Sequence, residues 1–127
     1  MSTGGSIRFT ATGLTLLGLL AASGCGGGEK LYGAPVDIEA LRGRAVPLEQ
    51  ALSEGGEVEV VGSIGRVCDM GCWFYLMGEE EMLYVKLDLA AGLVIPTDSE
   101  GKGVLAVGEI TGEGAAQELQ ARTVVLY

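Results

Sequence analysis

The sequence predicts a mainly β fold: a small OB-like antiparallel barrel with one or two short helices, preceded by a signal peptide and a glycine-rich tether. Three observations carry this. Polar and apolar residues alternate over Glu57–Val60 and again from Leu83 to Leu89, the period of half-buried strands. Gly62 and Gly65 sit within the first apolar stretch without ending it, as at a bulge or a barrel corner. The chain has 127 residues, enough for one small domain, and its apolar runs are short and separated by turn residues. A closed barrel is the all-β solution that removes exposed sheet edges.

The N-terminal segment reads as export machinery. Arg8 is the lone charge ahead of an apolar run from Ala11 to Ala22 that contains Leu14, Leu16, Leu17, Leu19 and Leu20. The run is well short of the ~20 residues of a membrane-spanning helix and fits the apolar region of a secretory signal. Ala22-Ser23-Gly24-Cys25 follows at once and resembles a bacterial lipobox, with Ala22 where Leu, Val or Ile is commoner. The expected division is residues 1–24 as lipoprotein signal peptide, 25–33 as lipidated Cys25 and flexible tether, and 34–127 as the β domain. Gly26-Gly27-Gly28 supplies the flexibility. The expected location is the bacterial cell envelope, anchored by lipid and facing the periplasm. Residue 26 is not Asp, which by the lipoprotein resemblance favours the outer membrane.

Within the domain, Gly33, Pro35 and Gly43 interrupt the stretch to Val46, so an irregular lead-in is expected there, packed through Val36, Ile38 and Leu41. Pro47 begins a short helix to Ser53, with Leu48, Ala51 and Leu52 at helical spacing, and Gly55-Gly56 ends it. The strand from Glu57 slips its alternation between Ile64 and Val67, the trace of a bulge near Gly65. Cys72–Met77 is a second strand, with Trp73, Tyr75 and Met77 on one face and Cys72, Phe74 and Leu76 on the other. Leu83 to Leu89 is a third. Thr97 to Gly101 is turn chemistry, and Val104–Ile110 is a fourth strand. Ala115 to Ala121 reads as one or two helical turns, and Thr123–Tyr127 as a terminal strand.

The candidate site is the hairpin Val67-Cys68-Asp69-Met70-Gly71-Cys72-Trp73, which holds two of the three cysteines and the only tryptophan. With Asp69-Met70-Gly71 as a three-residue loop, Cys68 and Cys72 would face each other across the strands, close enough for a disulfide after small adjustment. In an oxidising compartment a disulfide is the first reading. The alternatives are a soft metal site or redox pair, and two small buried side chains that happen to be cysteines. No cofactor is expected under the first reading; Cu(I), with Met70 nearby, is the alternative. Trp73 and Met70 are the candidate binding surface, although Trp73 also suits a core anchor and Met77 and Met82 suit core or edge filler.

The run from Glu57 to Gly112 resembles a bacterial exported family known as domain of unknown function 4920. The residues that carry the resemblance are Val58, Val60 and Gly62, then Val67-Cys68 and Gly71-Cys72-Trp73. Val85-Lys86, Ile95-Pro96, Asp98, Gly101-Lys102 and Val107-Gly108 complete the pattern. The resemblance implies export and adds no activity.

Composition narrows the function classes. The formal net charge of −9, from 17 acidic and 8 basic residues, opposes binding to nucleic acid. The chain has no histidine, which removes His-based nucleophilic triads and His-ligated zinc. Glu57, Glu59, Asp88 and Glu109 alternate with apolar residues and read as solvated strand faces, not as a general acid–base pair. The expected function is therefore that of an envelope lipoprotein with a non-enzymatic binding or structural module. It would meet the membrane through its lipid and an envelope protein or small ligand through the hairpin. The alternative is a thiol-redox or Cu(I)-handling protein using Cys68 and Cys72.

Overall fold

The structure, a computed structural model, describes residues 28–127. The signal segment, Cys25 and the start of the tether lie outside the described residues. No helix among the described residues is long and apolar enough to cross a membrane.

The elements run β1 (Lys30–Gly33), α1 (Ile38–Arg44), β2 (Val46–Pro47), α2 (Leu48–Glu54), β3 (Gly56–Val67), β4 (Trp73–Met77), β5 (Met82–Leu87), β6 (Gly103–Thr111) and β7 (Glu118–Leu126). Two 3-10 turns, Leu89–Ala91 and Gly114–Ala116, lie in the connections. Strands β3, β4, β5, β7 and β6 pair in that order, and β6 returns to β3, so the sheet closes on itself. This is the predicted OB-like barrel. One seam departs from antiparallel pairing: β5 and β7 run parallel, with Tyr84 opposite Glu118 and Leu87 opposite Ala121.

Strand β3 spans 12 residues because one strand must serve two neighbours. Its first two-thirds pairs with β6, and its end, from Ser63, pairs with β4. The bend between these duties is a register shift between Ile64 and Val67, where the slipped alternation predicts a bulge. Alternate residues face inward and form one core: Val60, Phe74, Leu76, Val85, Val104, Leu119 and Val124 are within 1% of full burial. Helix α2 closes one end of the barrel through Leu48 and Ala51.

A second, smaller cluster lies outside the barrel, where Leu41 of α1 covers Leu105, Val107 and Val125. Strand β6 is thus apolar on both faces, while most of its neighbours show one wet face.

Several expectations are corrected. The lead-in after Pro35 contains α1, whose N-cap Asp37 accepts from the Ala40 N–H at 3.3 Å and whose last turn carries Arg42 and Arg44. Gly43 is tolerated there because the helix needs only Leu41 for its anchor. Lys30–Gly33, assigned to the flexible tether, is strand β1, paired with Thr123–Leu126. The described domain thus includes residues ahead of 34. Pro47 stands at the N-cap and not inside α2, in extended backbone that also pairs with Val61.

Strand β5 stops at Leu87, since Asp88 turns the chain by accepting from the Ala91 N–H at 3.3 Å, which leaves Leu89 58% exposed. The stretch read as helical up to Ala121 becomes strand from Glu118. Leu119 and Ala121 are buried while Gln120 and Arg122 are exposed, a period of two that the alanines obscured.

Strand β7 has its own irregularity opposite Val107 and Gly108, where Arg122 is the extra residue. Its displaced carbonyl accepts from the Ala34 N–H at 3.0 Å, so the bulge also fastens β1. Gly108 has no side chain for a reason: a Cβ there would lie 2.1 Å from the Gln120 carbonyl oxygen.

Candidate functional site

The β3–β4 connection, Cys68 to Cys72, sits at the mouth of the barrel. Its register differs from the predicted one. Ile64 pairs with Leu76, and an even ladder continued from there would set Cys68 against Cys72. The bulge after Ile64 shifts the pairing by one, so Val67 meets Phe74 and the Cys68 N–H donates to the Trp73 carbonyl at 3.0 Å. Cys72 therefore belongs to the loop and not to the strand opposite Cys68. Both cysteines are free thiols in this structure.

Because Cys72 curls inside the turn, the two sulfurs meet in another way. The Gly71 N–H donates to the Cys68 carbonyl at 2.9 Å, closing a four-residue turn. That turn aims the Met70 and Cys72 N–H groups at Cys68 Sγ, at 3.3 and 3.2 Å. The Cys72 thiol is the neighbouring group that acts most strongly on the same sulfur. Successive N–H groups converging on one atom make a cradle for negative charge. The Cys72 thiol, the N–H groups and the neighbouring Trp73 amide lower the Cys68 pKa to about 7, against a smaller opposing effect of burial. Cys72 moves the other way: acted on most strongly by the Cys68 side chain, partly desolvated and beside its developing charge, it is held above the usual thiol range.

The loop is clamped from outside. The Ile95 N–H donates to the Gly71 carbonyl at 3.1 Å, and the Leu87 N–H to the Cys72 carbonyl at 3.3 Å. Ile95 itself is held by a tight turn in which buried Ser99 donates its hydroxyl to the Pro96 carbonyl at 2.6 Å. Gly71 has φ +74°, and a Cβ there would lie 2.1 Å from the Ile95 carbonyl oxygen. Both the backbone angle and the close approach demand glycine.

Beyond the loop, β4 and β5 present an aromatic face. Trp73 lies 5.5 Å from Tyr75 and 5.8 Å from Tyr84, centroid to centroid, and Tyr75 lies 6.0 Å from Tyr84. All three are half-buried. The side of β4 that carries Trp73 and Tyr75 is the outer one, since Phe74 and Leu76 fill the core. Trp73 is thus a surface aromatic and not a core anchor. Lys86 sits opposite Trp73 in register, and burial together with nearby Glu118 raises the Tyr84 phenol pKa. The alternation from Leu83 to Leu89 gives Tyr84 no more than an outward place, and only its register opposite Tyr75 joins it to Trp73.

Of the other expected site residues, Met70 stands at the loop tip, 79% exposed, and Cys25 is outside the described residues. Met82 is also exposed, at 60%, so it fills no core. Among the described residues no group of three His, Cys, Asp or Glu side chains gathers as a metal site. Cys68 and Cys72 alone would be a two-sulfur set of the kind that suits Cu(I).

Glu57 and Glu59, expected as plainly solvated, are paired. Arg44 grips Glu59 through two bonds of 2.9 and 2.7 Å, and Arg122 grips Glu57 through two of 3.2 and 2.7 Å. These are exposed pairs that orient side chains more than they stabilise.

The charge state of Cys68 is directly testable. Alkylation of reduced protein by iodoacetamide is expected to follow a pH profile with a midpoint near 7. Cys68→Ser should remove that component and leave one titrating well to the alkaline side. A single profile at the ordinary thiol pKa in both proteins would contradict the cradle.

No family model matches the chain, and no curated protein or solved structure matches it.

Proposed function

We propose that the chain is an exported, lipid-anchored envelope protein whose OB-like barrel is a non-enzymatic binding module for neutral oligosaccharide. The reading rests chiefly on the mutual packing of Trp73, Tyr75 and Tyr84 on the outer face of β4 and β5. Half-buried aromatics hold their rings without a conformational cost on binding, and two phenols add hydrogen-bonding groups beside the rings. Flat apolar faces with adjacent hydroxyls suit pyranose rings. In OB folds the face of the second and third barrel strands and the loop between the first two are the usual binding elements, an analogy of fold that agrees with this placement. The net charge of −9 disfavours polyanionic ligands. The lipobox-like Cys25 and the resemblance of the cysteine hairpin to an exported family support the envelope setting.

The test uses Trp73 as its own reporter, since it is the only tryptophan. Titration of the mature protein with neutral chitin and glucan oligomers is expected to shift and saturate its fluorescence. Calorimetric titration should show the same binding lost, by tenfold or more, in Tyr84→Ala. Absence of saturable binding to either class of oligomer would overturn the saccharide reading. Intact-mass analysis of the membrane fraction tests the anchor, with unlipidated protein beginning elsewhere than Cys25 as the contrary result.

A further inference from the structure

The cysteine loop holds chemistry that oligosaccharide binding does not use. Its two sulfurs differ in three respects. Cys68 is buried, at 9% exposure, while Cys72 is half-buried and the more accessible. Cys68 Sγ receives the Met70 and Cys72 N–H groups, whereas no such bond reaches Cys72 Sγ among the described residues. The two thiols are also pushed in opposite directions, Cys68 down and Cys72 up. The asymmetry comes from the bulge between Ile64 and Val67, which moves Cys72 out of the strand and turns its amide onto Cys68. A pair kept only to staple two strands would need neither the register shift nor the cradle.

We infer that Cys68 and Cys72 form a reversible dithiol–disulfide couple in which an external thiol attacks Cys72 and Cys68 departs as the thiolate. Starting from the disulfide, an incoming thiolate bonds to Cys72 Sγ. The Cys68–Cys72 bond breaks and its electron pair stays on Cys68 Sγ, where the amide cradle receives the charge. A second external thiolate attacks the outer sulfur of the mixed disulfide. Cys72 leaves, takes a proton from solvent, and the external pair departs as a disulfide. Two electrons pass from two external thiols to the protein. The reverse sequence oxidises the dithiol with an external disulfide as the oxidant. A stabilised leaving thiolate speeds its own release and stabilises the reduced form, which makes the disulfide the readily reduced kind and not the resistant structural kind. A Cys68 thiol held down to about 7 in this cradle fits the same assignment.

The clamps on the loop give the couple an output. Joining the sulfurs constrains Cys72, whose carbonyl accepts from the Leu87 N–H and whose chain neighbour is Trp73 of the aromatic face. The state of the couple is therefore reported at the surface proposed for binding, although the couple stands or falls separately from any saccharide.

The experiment equilibrates the mature wild-type protein in buffers of varied reduced to oxidised glutathione ratio. Trp73 fluorescence and acid-quenched alkylation with intact-mass detection read the fraction reduced. The expected result is a reversible passage from mostly oxidised to mostly reduced within the ratios glutathione covers, with both readouts coincident. Oxidised protein pulsed with glutathione and quenched should carry the mixed disulfide on Cys72 and a free Cys68, as located by tandem mass spectrometry. In Met70→Pro, which removes one cradle amide, the midpoint should move toward the disulfide by several-fold. A pair that stays oxidised at every ratio is a structural staple and overturns the inference, as does glutathione trapped on Cys68. Either outcome leaves oligosaccharide binding by the reduced protein to be judged on its own titration.

Discussion

Phe74→Ala is expected to lower the unfolding free energy by about 3–5 kcal/mol, the range for emptying a fully buried aromatic site. Phe74 is the largest side chain with no exposure, and it projects from the middle strand of three, between Val67 on β3 and Val85 on β5. Backbone ladders on both sides hold β4 in place, so the walls of the vacated space cannot close over it. For a domain of this size each kcal/mol corresponds to about 4–8 °C of melting temperature, so the midpoint should fall by well over ten degrees. Urea unfolding followed through Trp73 fluorescence measures the change. A loss below about 1 kcal/mol would mean that the barrel interior relaxes far more than its closed pairing allows.

The second large effect is expected at Gly71. Gly71→Ala should cost about 2–4 kcal/mol, combining strain at a positive φ with a steric collision. The collision is with backbone, the Ile95 carbonyl at 2.1 Å, so no rotamer change relieves it. Gly92 is the matched control: its φ is +77°, yet a Cβ there meets nothing within 4 Å. Gly92→Ala should therefore cost only the backbone strain, about 1 kcal/mol. The difference isolates the loop's contact with Ile95. The same variant should blunt the low-pH alkylation component of Cys68, because a displaced Gly71 carries the Met70 and Cys72 amides with it. Equal destabilisation by the two glycine replacements would show that the Ile95 clamp is loose.

What the sequence made legible follows from which signals are local. The alternation of Leu83, Val85 and Leu87 is a property of one strand, and it is read without knowing the partner. The bulge near Gly65 was visible because it disturbs that same local period. Its consequence was not visible. Whether Cys68 faces Cys72 or Trp73 depends on a one-residue shift that only the pairing with β4 defines.

Strand β1 escaped for a related reason. Lys-Leu-Tyr-Gly is too short to display a period, and its place in the sheet depends on Thr123–Leu126 at the far end of the chain. Helix α1 was hidden by Pro35 and Gly43, although Asp37 was a readable cap. The alanines at 115, 116 and 121 gave β7 a helical look that the burial of Leu119 and Ala121 overrides. The aromatic face joins residues from two strands and so needed the sheet.

Strand β7 meets three partners, and this bears on the order of assembly. One edge pairs along its whole length with β6; the other is shared between β5, through Glu118–Ala121, and β1, through Thr123–Leu126. The hairpins β3–β4 and β4–β5 are contacts between near neighbours and can form early. The seam cannot close until Glu118–Leu126 arrives, and it then joins the first described strand to the last. Long-range closures of this kind slow folding, because the loop entropy is lost before the contacts compensate for it. A nascent chain lacking residues 118–126 keeps β1, β5 and β6 with open edges, so commitment to the native state is deferred until that segment has been made.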